Sequence, residues 1–433
     1  METILKKYSN FVGYPIYLNG VRVNTIQAIW NLTKNEVTEE QHAEFYRYIA
    51  NAYDAPTYRM HFNADVPLQI NALFYFPERH MEKYGMGRMD PGTSLYSRKV
   101  LIKSKAQGLL PDYFRFIQGV VDSEDVPLNI SRENMQDSLL ISRISSVLTK
   151  RIIKHLQEEA KKDADKYNKW YNEFCTFIKE GVCSDFTHKT ELARLLRFDS
   201  SAVPEGEQGY VSLDDYISRM PPSQQNIYFL CAPNRRIALA SPYYEALKAS
   251  GHEVLFLYHP LDDFVMKNLR DYSRRKLVSA EASTENTPDP AKKAQMEAES
   301  AELIKFIKDT LGNKVSTVTL SDKVTSYPAF VVDHESASMR KMMKMMDTQG
   351  LFGDEIPISK QKLTINPNHA IFVKMMMIKD KQPALAKLVV EQVFDNALMA
   401  ADILDNPRSM LPRMHKILES ALDPVVANSS GPQ

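Results

Sequence analysis

The stretch 226–258 constrains the fold more than any other part of the chain. Two strand-like runs, 226–232 and 252–258, flank a helix predicted at 242–249. The handedness rule for a strand, a helix and a second strand in one sheet implies that these two strands are parallel. The sequence therefore predicts an α/β unit in which helices cover a sheet.

Length and pattern divide the chain further. A chain of 433 residues with 44% hydrophobic and 25% charged residues is long enough for about three domains. Strands predicted at 68–76 and 94–104 precede a long helix that begins near Ser131. The polar stretch 281–299 is predicted to be a linker or a disordered insertion. The predicted division is 1–165, 166–299, 300–425 and a flexible tail, 426–433.

The charge balance and the cysteine content give no support for a nucleic-acid-binding, membrane-bound or disulfide-bonded protein. Lys plus Arg equals Asp plus Glu at 54 each, which gives no electrostatic reason to expect nucleic acid or an anionic membrane as a partner. Three cysteines form no disulfide framework and indicate a reducing compartment. No apolar run approaches the ~20 residues of a membrane span. We expect no metal site, because the histidines lack ligand spacing.

The last helices are predicted to form a dimer interface. Between 384 and 404 apolar residues occupy most faces of the helix, more than one packing surface can use. A second helix follows Asn406-Pro407, so two copies would give a four-helix bundle about a two-fold axis. The predicted interface residues are Leu388, Val393, Phe394, Leu398, Met399, Ile403, Met410 and Ile417.

Two features suggest binding of apolar protein segments. A predicted helix carries four methionines at i, i+3, i+4 and i+7, whose flexible side chains suit loose contact with many partners: Met339, Met342, Met343 and Met346. An ordinary core face would show the same spacing. Trp30 lies among turn-forming residues, where an exposed indole would bind apolar peptide; the alternative is a core tryptophan.

The loop 119–136 is the strongest functional signal. Ser131 is a good helix N-cap, so Arg132 falls in a first helical turn, where the helix dipole disfavours a cation and favours an anion. One interpretation is that Arg132 binds an anionic ligand. The other is an ion pair with Asp122, Glu124 or Asp125 that holds the loop to the helix.

This loop reads Gly-Val-Val-Asp-Ser-Glu-Asp, then Pro-Leu-Asn, then Ser-Arg-Glu, with Gln136 four residues after the arginine. It resembles the middle-domain catalytic loop of the heat shock protein 90 chaperones. The resemblance implies that Arg132 reaches the γ-phosphate of ATP in a separate N-terminal domain, that Gln136 assists and that Asn129 shapes the loop. A guanidinium suits this task, because its planar donors neutralise phosphoryl oxygens.

The resemblance extends from Tyr8 to Met410 and implies the family's middle and C-terminal domains. The expected fold is α/β and α+β: an α/β middle domain in a large and a small part, then a mixed α/β dimerisation domain that ends in a helical bundle. ATP and magnesium belong to the N-terminal domain, so this chain alone is expected to hold no cofactor and not to hydrolyse ATP. The resemblance also implies a constitutive homodimer that contacts partly folded clients.

The stretches 228–235 and 241–246 resemble most the mitochondrial branch of the family. The expected location is therefore the mitochondrial matrix, with the bacterial cytoplasm as the alternative. The leading hypothesis is part of an ATP-driven chaperone that binds clients, dimerises and supplies Arg132 to ATP. The alternative is a nucleotide-independent holding or scaffolding dimer, in which the loop is only structural.

Overall fold

A computed structural model describes residues 2–24, 27–66, 68–126, 138–204, 209–282, 290–321, 326–336, 339–340, 358–404 and 406–429. The chain divides into two compact units, Met1–Arg197 and Phe198–Gln433. Both units mix helices with sheets, so the predicted α/β class is confirmed. The finer division into three domains stays a prediction. None of the helices in the described ranges has the length and apolar content needed to cross a bilayer.

The first unit is built on a five-stranded sheet with the strand order β3-β4-β7-β5-β6. Its strands, with the small preceding hairpin, are β1 Tyr17–Leu18, β2 Val21–Arg22, β3 Tyr58–Ala64, β4 Ile70–Phe76, β5 Thr93–Ser97, β6 Val100–Lys103 and β7 Gln118–Asp122. Its helices are α1 Glu2–Ser9, α2 Glu39–Ala50, α3 Ser138–Lys162, α4 Ala164–Ser184 and α5 Lys189–Ala193. The central strand β7 is antiparallel to β4 and parallel to β5.

Side chains alternate across β4 and bury both faces of this sheet. Tyr75 packs in a cluster with Trp30 and Phe45 on one face, whereas the adjacent Phe76 contacts Trp170 of α4 and His155 of α3. The aromatic stripe of α4 is buried as predicted, and α4 belongs to the first unit. Burial on both faces explains why β4 is a nearly continuous apolar run.

One predicted strand is two strands. The run 94–104 contains β5 and β6, joined by a two-residue turn at Arg98 and Lys99. Neither residue is Gly, Asn or Asp, so the sequence lacked the usual signal of a tight hairpin turn.

The second unit contains two sheets. The first has the order β11-β12-β9-β10-β8, with β8 Asp199–Ser200, β9 Asn226–Cys231, β10 Val254–Leu257, β11 Asp271–Tyr272 and β12 Arg275–Ser279. The second has the order β13-β15-β14, with β13 Val315–Leu320, β14 Ala329–Val332 and β15 Gln361–Ile365. Strands β9 and β10 are parallel, as the opening β-α-β pattern predicted.

The helices of the second unit complete its core. They are α6 Leu213–Arg219, α7 Arg235–Leu239, α8 Pro242–Ala249, α9 Pro260–Leu269, α10 Pro290–Glu299, α11 Ala301–Leu311, α12 Ala370–Ile378, α13 Pro383–Ala400 and α14 Leu411–Ser429. The prediction of a linker or disordered insertion over 281–299 is wrong from Pro290 onward, because α10 begins there. Proline is favoured in a first helical turn, and the Ala, Lys, Gln and Glu that come next are good helix formers.

Candidate functional site at the base of the arginine loop

The three predicted catalytic residues, Asn129, Arg132 and Gln136, lie outside the described residues, in 127–137. The structure describes the base from which their loop departs. Strand β7 ends at Asp122, and the chain continues to Val126. We use the term loop anchor for the set of residues that holds this base: Trp30, Ser97, Lys99, Asp122 and Val126.

Asp122 is the centre of the loop anchor. Its residue surface is only 4% exposed. Its Oδ2 atom accepts a hydrogen bond from the indole Nε1 of Trp30 at 3.0 Å and another from the backbone N of Lys99 at 3.0 Å. Burial raises the pKa of the Asp122 carboxyl, and these two hydrogen bonds oppose that shift. The carboxyl thus joins three segments that are distant in sequence.

The Lys99 bond stabilises a strained turn. Arg98 and Lys99 have φ angles of 48° and 66°, in the left-handed region that side chains with a Cβ rarely adopt. Such a conformation costs about 1–2 kcal/mol per residue. The hydrogen bond from Lys99 to Asp122 offsets part of this cost, so the turn and the loop base hold each other in place.

Three more hydrogen bonds fix the residues after Asp122. The hydroxyl of Ser97 donates to the carbonyl oxygen of Val126 at 2.7 Å, and the backbone N of Ser123 donates to the carbonyl oxygen of Tyr96 at 3.1 Å. The backbone N of Gln69 donates to Oδ2 of Asp125 at 2.9 Å. The loop therefore departs from a base that is bonded at almost every residue.

Trp30 is a core residue, and the expected exposed indole is wrong. Its side chain is completely buried, with ring centroids 4.8 Å from Phe11 and 5.2 Å from Tyr96. The indole N–H reaches Asp122, and the surrounding aromatic rings enclose the rest of the side chain. A buried indole offers no surface to a client, so the structure supports the alternative that the sequence left open.

The acidic residues that would pair with Arg132 in the structural interpretation have other contacts. Asp122 binds Trp30 and Lys99, and Asp125 binds the backbone of Gln69. Glu124 lies 3.7 Å from the Nε atom of Arg98, a solvent-exposed contact that contributes little.

Gly119 allows β7 to enter the sheet. A Cβ atom at this position would lie 2.5 Å from the carbonyl oxygen of Leu73 and 2.7 Å from the ring of Phe74. No side chain fits at that distance. The glycine thus permits the close strand contact that places Asp122 at the end of a central strand.

Of the four predicted client-binding methionines, the structure describes only Met339. Met339 is half-buried, and its backbone N lies 3.4 Å from the hydroxyl oxygen of Ser336. Met342, Met343 and Met346 lie outside the described residues.

Five of the eight predicted interface residues are core residues of their own unit. They are buried to between 2% and 5% exposure: Val393, Phe394, Leu398, Ile403 and Met410. The apolar faces of α13 are occupied within the protomer, where the helix contacts β14, α11, α12 and α14. Leu388 and Ile417 are half-buried, and Met399 remains 44% exposed.

Of the two terminal helices α13 and α14, α14 has more large apolar side chains exposed in its described part. Four of its residues are spaced at i, i+3, i+7 and i+11, which places them on one face of the helix. They are Leu411, Met414, Leu418 and Leu422, exposed to 47%, 38%, 58% and 60%. We call this set the terminal-helix stripe. None of these four residues is among the predicted interface residues, because the all-round apolar pattern of α13 is the stronger signal in the sequence.

Comparison with known proteins agrees with the resemblance in the loop. A sequence model of the family described as "Hsp90 protein" matches residues 19–431. The mitochondrial TNF receptor-associated protein 1 homolog of Dictyostelium discoideum is 46% identical over 98% of this chain and 60% of its own length. The chaperone protein HtpG of Desulfitobacterium hafniense is 42% identical over 98% of this chain and 69% of its own.

A further relative is the mitochondrial heat shock protein 75 kDa of Rattus norvegicus, 40% identical over 98% of this chain and 61% of its own length. The chain thus spans about three fifths of the length of these mitochondrial relatives. The relatives are mitochondrial and bacterial proteins, in agreement with the two predicted locations. The chain belongs to the heat shock protein 90 family of chaperones.

Proposed function

We propose that the chain is the middle and C-terminal part of an ATP-driven chaperone of the mitochondrial matrix, or of the bacterial cytoplasm. It binds partly folded clients, forms a homodimer and supplies Arg132 to the γ-phosphate of ATP. ATP and magnesium are held by a nucleotide-binding domain outside residues 1–433. Gln136 assists Arg132, and Asn129 shapes the loop.

The observation that carries this proposal is the loop base. Asp122, one of the three acidic residues that could pair with a purely structural Arg132, is buried within the loop anchor and accepts hydrogen bonds from Trp30 and Lys99. Asp125 accepts one from the backbone of Gln69, and Glu124 makes only a weak exposed contact with Arg98. An arginine that serves an external anion needs a well-fixed base, because misplacement of about 1 Å can cost about 100-fold in rate.

The experiment fuses the chain to the nucleotide-binding domain of a relative and compares ATP turnover of the parent, Arg132→Ala and Arg132→Lys. We expect a fall of about 10-fold or more for both variants with unchanged nucleotide affinity, because lysine cannot reproduce the planar donor pair. Arg143→Ala is the matched control, since Arg143 is an exposed arginine of α3. Unaltered turnover in Arg132→Ala would favour the nucleotide-independent holding dimer.

The client-binding role of the methionine-faced segment is tested in the same fused protein. Replacing Met342 and Met343 by serine should weaken suppression of client aggregation, because it removes flexible apolar contacts. Met377→Ser is the control, since Met377 is 72% exposed on α12 and lies outside this segment. If the Met342 and Met343 double variant suppresses client aggregation as well as Met377→Ser does, the result counts against a client-binding role of the methionine-faced segment.

A further inference from the structure

The second unit contains a large cavity at one edge of its five-stranded sheet. Strands β12, β9 and β10 are parallel neighbours, so their carboxyl ends meet at this edge. The cavity is lined by residues that come after each strand: Ala232 after β9, Tyr258 after β10 and Glu281 after β12. Ligands of open α/β sheets bind at this edge, outside the carboxyl ends of the strands.

The cavity has the size and lining of a small-molecule site. Its volume is about 660 Å³, within the range of about 300–1,000 Å³ for such sites. Most of its wall is apolar, and Leu257, Phe264 and Met399 line it from three different elements. An apolar wall of this kind gains free energy when it exchanges water for an apolar ligand.

Glu281 supplies the polar feature of the cavity. Its side chain is 16% exposed, and its Oε2 atom lies 3.8 Å from Nε2 of His334, an imidazole that is charged only when it is protonated. Burial raises the pKa of Glu281; His334 and Lys267 oppose the shift, whereas Asp263 and Asp402 add to it. Within the described residues, this carboxyl has no lysine or arginine within ion-pair distance.

Two polar residues of the cavity wall, Ser241 and His259, cap helices. The helix ends that face it are capped: Ser241 accepts a hydrogen bond from the backbone of Tyr243, and His259 accepts one from that of Leu261. Arg236 also lines the cavity, but it is exposed, so water screens its charge. The excess of carboxylates around Glu281 therefore favours a cation as the ligand group.

We propose that this cavity binds a small amphiphile with one cationic nitrogen. The ammonium or amidinium group pairs with the carboxyl of Glu281, and an aromatic or branched apolar body packs against Leu257, Phe264 and Met399. This site lies entirely in the second unit and is independent of the ATP reaction proposed above.

The test uses naphthylmethylamine as the probe and naphthylmethanol as its uncharged counterpart, with binding to the whole chain measured by calorimetry and ligand-observed NMR. We expect the amine to bind with a dissociation constant of about 10 µM to 1 mM. The alcohol should bind about 10-fold or more weakly, because it cannot form the charge-assisted hydrogen bond.

Two variants locate the site. Glu281→Gln should weaken binding of the amine about 10-fold or more and leave the alcohol unchanged. Ala232→Leu, which fills part of the cavity, should weaken both probes. Asp309→Asn is the matched control, because Asp309 is an exposed carboxylate of the same unit that does not line the cavity.

Thermal unfolding of each variant separates loss of the site from loss of the fold. If Glu281→Gln is misfolded, the comparison of amine with alcohol on the parent chain still decides the case. Equal affinity of the two probes for the parent, or no binding of either at millimolar concentration, overturns the proposal. Equal loss of amine binding in Glu281→Gln and Asp309→Asn also overturns it.

Discussion

The loop anchor in the first unit and the terminal helices of the second unit are stabilised by different kinds of contact. In the loop anchor, directional hydrogen bonds join Trp30, Ser97 and Lys99 to Asp122 and Val126. Along the terminal helices, α13 is held by apolar burial, and α14 keeps an apolar face in solvent. One region is fixed by directed polar contacts, and the other leaves a surface uncovered.

The difference indicates two kinds of task. Hydrogen bonds have narrow preferences for distance and angle, so a polar network at the end of β7 fixes the direction in which the loop leaves the sheet. Apolar contact has no preferred direction, and a contiguous exposed stripe gains free energy from any complementary apolar surface. We therefore infer that the loop anchor fixes the direction of the loop and that the terminal-helix stripe associates with another apolar surface.

The largest expected effect comes from the loop anchor. Trp30→Ala should lower the free energy of unfolding of the first unit by about 3–5 kcal/mol, because it leaves a cavity among buried rings. Trp30→Phe should cost about 1–3 kcal/mol, since it removes only the hydrogen bond to Asp122 and part of the ring. Denaturant unfolding followed by the fluorescence of Trp170 measures both.

Trp170→Phe is the matched control, because Trp170 is also buried and its indole donates to the carbonyl oxygen of Pro77. In the protein fused to a nucleotide-binding domain, Trp30→Phe should lower ATP turnover, whereas Trp170→Phe should leave it near that of the parent. If the two variants lower turnover equally, the loop anchor has no role beyond stability.

The terminal-helix stripe should show a smaller effect on folding and a clear effect on association. Replacing Leu418 and Leu422 by alanine should raise the dimer dissociation constant about 30-fold or more, since each dimer loses apolar contact from four leucines. Sedimentation velocity over a range of protein concentrations measures this change.

Lys416→Ala is the control for the stripe, since Lys416 is exposed on the opposite side of the same helix. It should leave the dissociation constant unchanged. A double leucine variant that dimerises like the parent would mean that the terminal-helix stripe does not form the interface.

A third prediction concerns pH and the aromatic cluster around Trp30. Burial lowers the pKa of His42 from its ordinary 6.5 to about 4, with Arg59 acting in the same direction. The unfolded chain then binds more protons than the folded chain between these values, so stability falls as pH decreases from about 6.5 to 4. His42→Gln should reduce this slope, measured by tryptophan fluorescence in acid titrations.

Both tryptophans lie in the first unit, so their fluorescence reports on that unit alone. His61 and His155 also have pKa values lowered by burial, and the slope should decrease in His42→Gln without disappearing. His415→Gln, at an exposed position of α14, should leave the slope of stability against pH as in the parent. An unchanged slope in His42→Gln would contradict the prediction.

The sequence predicted the local elements better than the contacts between them. Strand and helix periodicity located the parallel pair β9 and β10 and the aromatic face of α4. The turn at Arg98 and Lys99 was missed, because its backbone is stabilised by Asp122 rather than by a glycine or asparagine at the turn itself. A bond between Trp30 and Asp122, which are 92 residues apart, leaves no local pattern.

Five of the eight predicted interface residues are buried within the protomer, for a related reason. An all-round apolar helix indicates burial on several sides, and sequence alone does not separate burial within a protomer from burial against a partner. Val393 and Phe394 proved to be core residues, whereas the sparser apolar pattern of α14 stays exposed. The roles of Asn129, Arg132 and Gln136 stay predictions from family resemblance.

The position of β7 in the middle of its sheet has a consequence during synthesis on the ribosome. The strands emerge in chain order, but β7, the last to appear, must pair with both β4 and β5. Until residue 122 has left the exit tunnel, the Trp30 indole lacks its Asp122 acceptor, and the edges of β4 and β5 that later pair with β7 are open. A chain released or stalled before this point exposes aggregation-prone strands.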